Sequence, residues 1–208
     1  MFKKIVFAVI AIAIVATGCS LFDFGGGDIM PLTVGSYWNM KSTMTTTPVD
    51  TTDTVTVDYL YSRTEITEKI TLGNGKEASV YKSGITDSLY VFDTLYSGIK
   101  YFIKEDTAYF SYDSLNQTTG DYQGPVKVDI GTVWNSGTMK FEVTAKENVT
   151  VPAETFKNAY KVAMITAAND TIWQWIASGK GNVKQSMTMT SSTQTTQLIT
   201  ELMAYEVK

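Results

Sequence analysis

The sequence contains no histidine, and its one cysteine is Cys19. The lack of histidine removes the commonest general base and metal ligand, together with every nucleophile arrangement built on a Ser-His or Cys-His pair. Basic residues number 17 against 21 acidic residues and form no run, which excludes the cationic footprint of a nucleic-acid-binding protein. Phosphate loops, paired-cysteine zinc spacings and calcium loops are also missing. We therefore expect no nucleic-acid partner, no enzymatic activity, no metal and no cofactor.

The first 18 residues are typical of a secretory signal peptide. Two lysines precede an apolar segment at 5–16, which is shorter than the roughly 20 residues that a membrane-spanning helix needs. The following Ala-Thr-Gly-Cys at 16–19 resembles the lipobox of bacterial lipoproteins, whose cysteine accepts diacylglycerol. An ordinary signal peptide that contains a cysteine is the alternative. Because a single cysteine cannot form an internal disulfide, we predict a signal peptide at 1–18 and membrane anchoring through acylated Cys19.

The mature chain divides into a short tether and a folded region. Residues 19–30 are predicted to be the lipidated tether, since they include three consecutive glycines. Ser20 stands where an aspartate would favour retention in the inner membrane of Gram-negative bacteria, so we expect the outer membrane of the cell envelope. Residues 31–208 are predicted to form one β-rich domain, with possible halves at 31–126 and 127–208.

Alternation of apolar and polar residues dominates the chain after residue 31. It is clearest in residues 53–61 and 138–146, where every second side chain is apolar. Such a period of two places apolar side chains on one face of a strand and polar side chains on the other. Glycine and asparagine turns separate the apolar stretches at short intervals. We predict an all-β fold, a curved antiparallel meander or half-barrel of about ten to thirteen strands with little helix.

Two segments of similar sequence lie 96 positions apart. Residues 32–39 have the sequence LTVGSYWN and residues 128–135 the sequence VDIGTVWN. Each combines a glycine turn with a tryptophan, Trp38 in one copy and Trp134 in the other. We predict that the two copies open equivalent halves of the sheet and bury their tryptophans. Chance similarity of two short segments is the alternative.

Several segments together resemble a group of uncharacterised bacterial lipoproteins. They are PLTVGSYWN at 31–39, VPAETFKNAYKV at 151–162, WIASGKGNVK at 175–184 and a leucine-containing strand at 198–205. Glu154 stands where these proteins usually have glycine. Their domains are similar to the curved antiparallel half-barrels of periplasmic lipoprotein carriers and sigma-factor regulators. The resemblance implies an exported β-rich domain and supplies no catalytic residues.

Large apolar residues near the C-terminal end are the candidate ligand-facing residues. We expect Tyr160, Met164, Trp173 and Trp175 to share an apolar concave face, where they either fill a core or contact a ligand. The first hypothesis is a non-catalytic binding or interaction module that uses this concave face, with a carrier of lipid or another apolar ligand as the alternative. The second is a structural or envelope-assembly lipoprotein that meets a partner through a sheet edge or outer face. Exposed aromatic residues on a convex surface would favour the second over a ligand cavity.

A third hypothesis, which we favour less, is a hydrolase that uses two carboxylates. Glu142 together with Asp170 or Glu154 could act in the manner of glycoside hydrolases if their carboxyl groups lay about 5 to 9.5 Å apart. Acidic residues that alternate with apolar residues along a strand usually form its solvated face. The sequence therefore favours binding over catalysis.

Overall fold

A computed structural model describes residues 32–50 and 52–208. The predicted signal peptide, Cys19 and the tether lie outside these residues. The strands are β1 Tyr37–Pro48, β2 Thr56–Thr71, β3 Glu77–Thr86, β4 Phe92–Lys104, β5 Ala108–Tyr112, β6 Asp121–Pro125, β7 Val133–Ser136, β8 Met139–Thr150, β9 Thr155–Ile165, β10 Thr171–Ala177, β11 Gly181–Thr190 and β12 Gln194–Glu206. Within the described ranges, no helix is both long and apolar enough to cross a membrane.

All twelve strands belong to one antiparallel sheet. Its order is β6-β5-β4-β3-β2-β1-β12-β11-β10-β9-β8-β7, so two six-stranded meanders meet where β1 pairs with β12. The terminal strands of the sheet approach each other where Ser136 Oγ donates a hydrogen bond to the carbonyl oxygen of Tyr122, at 2.9 Å. The sheet is therefore nearly closed into a barrel. The predicted all-β antiparallel fold is confirmed, and the sheet is more closed than the predicted half-barrel.

Strand alternation assigns each side chain to the inside or the outside of the barrel. On β8, Phe141 and Val143 face inward and are buried, as their spacing predicts. On β2 the alternating apolar residues instead point outward, and Val57 and Tyr59 are 47% and 56% exposed. A period of two therefore identified both strands but did not show which face of β2 is solvated.

Hydrophobic packing fills the lower end of the barrel, where β1 begins and β12 ends. Trp38, Ile66 and Leu202 meet there with rings and branched side chains from strands on the far side of the sheet. Trp38 Nε1 also donates a hydrogen bond to the carbonyl oxygen of Lys180, at 2.6 Å. A second cluster packs inside β7 to β10 around Phe141. Together the two clusters close the lower end and one side of the interior.

The two glycine-tryptophan segments form the same local structure. Gly35 and Gly131 have φ angles of 91° and 89°, a region that glycine adopts without the penalty of a Cβ atom. The Gly35 amide donates to the carbonyl oxygen of Ile66 and the Gly131 amide to that of Val143, both at 2.8 Å. The tryptophan three residues later is buried in both copies. The sequence repeat therefore corresponds to a repeated turn and strand entry.

Candidate functional site

The barrel places the four candidate ligand-facing residues on two different faces. Tyr160 and Met164 lie on the inner face of β9 and are buried in the second hydrophobic cluster. Trp173 and Trp175 alternate on β10 with buried residues of that cluster, so their side chains lie on the outer face and are half-buried. The single concave face expected for these four residues does not form. Tyr160 and Met164 belong to the core. The two tryptophans lie on the convex side, where Trp175 also packs against the hydrophobic cluster that contains Trp38.

Tyr160 also contacts a lysine of the neighbouring strand. Lys146 Nζ lies 4.4 Å from the centre of the Tyr160 ring. The pKa of Lys146 is raised above its ordinary value, first by a hydrogen bond with Tyr160 and further by a hydrogen bond with Asp129, against the opposing effect of desolvation. This contact fixes Tyr160 at the edge of the core.

The tryptophans of β10 are held in place by neighbouring charged side chains. Lys161 Nζ lies 5.0 Å from the centre of the Trp173 ring and 5.3 Å from that of Trp175. Glu147 Oε1 accepts a hydrogen bond from Trp175 Nε1 at 2.5 Å and lies 3.6 Å from Lys161 Nζ. A lysine between two aromatic rings is attracted to both faces, and the carboxylate fixes the indole. Lys161 therefore contacts both rings, and Trp175 is further oriented by its hydrogen bond to Glu147.

The same arrangement recurs four strands away on β2. Lys41 Nζ lies 4.1 Å from the centre of the Tyr59 ring and 5.9 Å from that of Tyr61. Lys41 is directly opposite Tyr61 in the register, as Lys161 is opposite Trp175. In both places a lysine of one strand therefore lies beside two aromatic residues of the next strand, spaced two positions apart.

A continuous row of side chains connects the two aromatic pairs. The register runs from Trp175 through Lys184, Glu201 and Lys41 to Tyr61. Lys184 Nζ and Glu201 Oε1 form an ion pair at 2.8 Å in the middle of this row. Four strand spacings separate the pairs, which is about 19 Å. We call this surface, defined by Tyr59, Tyr61, Trp173, Trp175, Lys41 and Lys161, the outer aromatic face.

Of the candidate carboxylates, Glu142 and Glu154 lie at opposite ends of β8. Glu142 Oε2 lies 3.3 Å from Lys140 Nζ on the outer face of β8. Glu154 lies at the opposite end of β8, in the turn before β9, where it accepts a hydrogen bond from the hydroxyl of Tyr205. Burial, followed by this hydrogen bond, raises the pKa of Tyr205 to about 12. Each of the two carboxylates therefore has its own local partner.

Sequence reasoning missed half of the outer aromatic face. Tyr59 and Tyr61 appeared as the apolar side of an ordinary amphipathic strand, and Lys41 carried no signal at all. The available signal was the recurrence of two aromatic residues at a spacing of two, in Tyr-Leu-Tyr at 59–61 and Trp-Gln-Trp at 173–175. Their shared face depends on the pairing of β1 with β12, which is a contact between distant parts of the chain.

Comparison with known proteins gives structural similarities only. No protein-family model matches the sequence, and no curated protein matches it. A Bacteroides fragilis protein described as exported, with a YmcC-like fold, is 12% identical, with a TM-score of 0.48 over 87% of this chain and 100% of its own. A Parabacteroides distasonis protein described as a lipoprotein is 14% identical, with a TM-score of 0.44 over 85% and 97%. A DUF1329 family protein from Desulfovibrio piger is 7% identical, with a TM-score of 0.25 over 85% and 87%.

Proposed function

We propose that this chain is a lipid-anchored protein of the bacterial envelope and that its barrel is a non-catalytic interaction module. The lipobox-like sequence before Cys19 supports the anchor, and Ser20 favours the outer membrane. The outer aromatic face supports the interaction. Its partner is an envelope protein, which the tether allows the barrel to meet near the membrane surface.

The observation that carries this proposal is the ordered pairing of lysines with aromatic rings on a convex sheet. Tryptophan and tyrosine are enriched among the residues that dominate binding at protein interfaces. Tyr59 is 56% exposed, so its ring has much of its surface still to bury. Because the lysines already hold these rings, binding loses less side-chain entropy than it would with mobile residues. The ion pair between Lys184 and Glu201, in the middle of the row, adds charged groups that favour a partner of complementary charge.

Photo-crosslinking tests the outer aromatic face directly. Ser186 lies within this face on β11, directly opposite Trp173 on β10 and Ile199 on β12. A photoreactive amino acid at Ser186 is expected to give a discrete crosslinked product in whole cells. The same group at Thr107, in the exposed turn between β4 and β5, is the matched control and should give none.

A second variant separates specific contact from mere exposure. The second variant combines the Ser186 probe with Trp173→Ala and Tyr59→Ala. It should abolish the product, because each aromatic pair then has only one ring left. A product of equal yield in that variant, or equal products at Ser186 and Thr107, would refute an interface at this face. Circular dichroism of the variant controls for folding.

The lipid anchor has an independent test. Cys19→Ser should abolish incorporation of labelled fatty acid and release the protein from the membrane fraction, because the thiol that accepts the lipid is gone. Full membrane retention of this variant would refute the anchor without bearing on the outer aromatic face.

A further inference from the structure

The upper interior of the barrel, where β1 ends and β12 begins, is lined differently from the packed lower end. The structure describes seven methionines, and five of them occupy inward-facing positions of this region: Met44, Met139, Met164, Met187 and Met189. Met40 also faces inward but packs against the lower-end cluster. Methionine side chains are flexible and polarizable, so they adapt to apolar molecules of different shapes. This lining is typical of a surface that binds an apolar ligand.

Solvent reaches this part of the interior. Met44, Met187 and Met189 are only half-buried although they face into the barrel. In the part of the chain that the structure describes, Met44 and Met189 belong to none of the hydrophobic clusters. The upper interior is therefore accessible from the upper end, in contrast to the filled lower end.

A row of polar side chains crosses the interior just below these methionines. Directly opposite one another in the register are Gln174 on β10, Gln185 on β11, Thr200 on β12 and Ser42 on β1. All four are buried, and the hydroxyl groups of Ser42 and Thr200 hydrogen-bond to each other at 2.7 Å. We call these four residues the inner polar row. Polar groups in such a position need partners, because burial without a hydrogen bond is costly.

One donor of the inner polar row has no partner. Gln185 is 3% exposed, and its Nε2 atom makes no hydrogen bond with any residue that the structure describes. Native proteins rarely leave a buried amide donor unsatisfied. The apolar row directly above it consists of Met187, Leu198 and Met44, of which Leu198 is buried and the two methionines are half-buried. A ligand would reach the donor by displacing these flexible methionine side chains. A ligand that brought an acceptor oxygen to Gln185 and an apolar chain to the methionines would satisfy both features.

The charge of the surroundings selects the kind of acceptor. On the four strands that carry the inner polar row, the inward-facing positions beside it are uncharged: Ile172 and Ile176 on β10, Met187 on β11, Leu198 and Leu202 on β12, and Met40 and Met44 on β1. On the next strand, β2, Asp58 lies directly opposite Met44 and is itself a carboxylate. An ionised carboxylate buried beside the row would find no cation on these strands, which is strongly unfavourable. A neutral carbonyl oxygen, as in an ester or amide, avoids that cost.

We propose that the upper interior binds one neutral acyl compound, with its apolar chain among the methionines and its ester or amide carbonyl accepting a hydrogen bond from Gln185 Nε2. This site lies inside the barrel and is separate from the outer aromatic face. A test of the interior site therefore does not bear on the proposed interface at the outer aromatic face. The ligand class is an acyl ester or amide, which a membrane lipid or an acylated peptide supplies.

Calorimetric titration of the mature chain carrying Cys19→Ser tests this site, because that variant has no acyl chains of its own to compete. The probes are monodecanoylglycerol, sodium decanoate and decyltrimethylammonium, all below their micelle-forming concentrations. Each has a ten-carbon chain. Monodecanoylglycerol offers a neutral carbonyl, decanoate offers an ionised carboxylate, and decyltrimethylammonium offers a cation with no acceptor. We expect monodecanoylglycerol to bind about five- to tenfold more tightly than the other two. Equal or tighter binding of decanoate, or no binding of any probe, would overturn the proposal.

Gln185→Leu provides the residue-specific test. Leucine has a similar size and no donor, so the preference for monodecanoylglycerol should disappear while binding of decyltrimethylammonium is kept. Thr188→Val, on the outer face of the same strand, is the matched control and should retain the preference. A Gln185→Leu variant that still prefers the ester would show that the amide does not contact the ligand. Replacing monodecanoylglycerol by a decanoylated dipeptide then distinguishes lipid esters from acylated peptides as the source.

Discussion

The two ends of the barrel interior differ although the same strands build both. At the lower end, Trp38, Ile66 and Leu202 are almost completely buried and pack across the barrel. At the upper end, Met44 and Met187 keep part of their surface exposed. Large rigid side chains fill the lower space, whereas flexible thioethers line the upper one. A single alternating pattern therefore produces a core at one end and an accessible lining at the other, according to which residues occupy the inward positions.

Removal of a lower-end ring should have the largest effect on stability. Trp38→Ala deletes a buried indole and the hydrogen bond to the Lys180 carbonyl, so we expect the free energy of unfolding to fall by about 3 to 5 kcal/mol. Urea denaturation of the Cys19→Ser chain, with and without Trp38→Ala, measures this difference in the free energy of unfolding. A loss below about 1 kcal/mol would mean that the lower end is not a packed core.

The equivalent change at the upper end should cost less. Met44→Ala removes a half-buried side chain that packs against neither hydrophobic cluster, and we expect a loss of about 1 kcal/mol or less. The same denaturation experiment compares it with Trp38→Ala. If both substitutions cost the same, the upper interior is packed like the lower end, and the distinction between them is lost.

The smallest effect, and one of opposite sign, is expected for Gln185→Leu. The wild-type side chain leaves a buried donor unsatisfied, so leucine should leave the free energy of unfolding unchanged or raise it by about 1 kcal/mol in the absence of ligand. A loss of more than about 2 kcal/mol would show that Gln185 stabilises the empty barrel, and its role as a ligand contact would then be unnecessary.

The sequence predicted the strands and the repeated turns because these depend on local chemistry. Gly35 and Gly131 require a conformation suited to glycine, and the alternation around Phe141 follows from a strand with one buried face. Both signals lie within a few residues of the structure that they specify. They were therefore visible without knowledge of strand pairing.

The sequence could not show which face of a strand points inward. Trp173 and Trp175 were expected inside, yet Gln174 between them is the buried residue. Hydrophobicity alone favours the tryptophans for the core. The pairing of β10 with β9 places Ile172 opposite the buried Met164, so Ile172 faces inward. Gln174, two residues later, faces the same way, and the tryptophans on either side of it face outward. The inner polar row and the outer aromatic face both result from this orientation, so neither could be predicted from composition.

The central claim is that the upper interior is a ligand site and the lower end is a core, and methionine methyl NMR tests it most directly. In the mature Cys19→Ser chain labelled with ¹³C at the methionine methyl groups, monodecanoylglycerol is the titrant and single Met→Leu variants assign the signals. We predict saturable shifts of Met44, Met187 and Met189, and an unchanged signal from Met203, which lies at the bulge of β12 near the lower end. Unchanged signals from the three upper methionines would contradict the account.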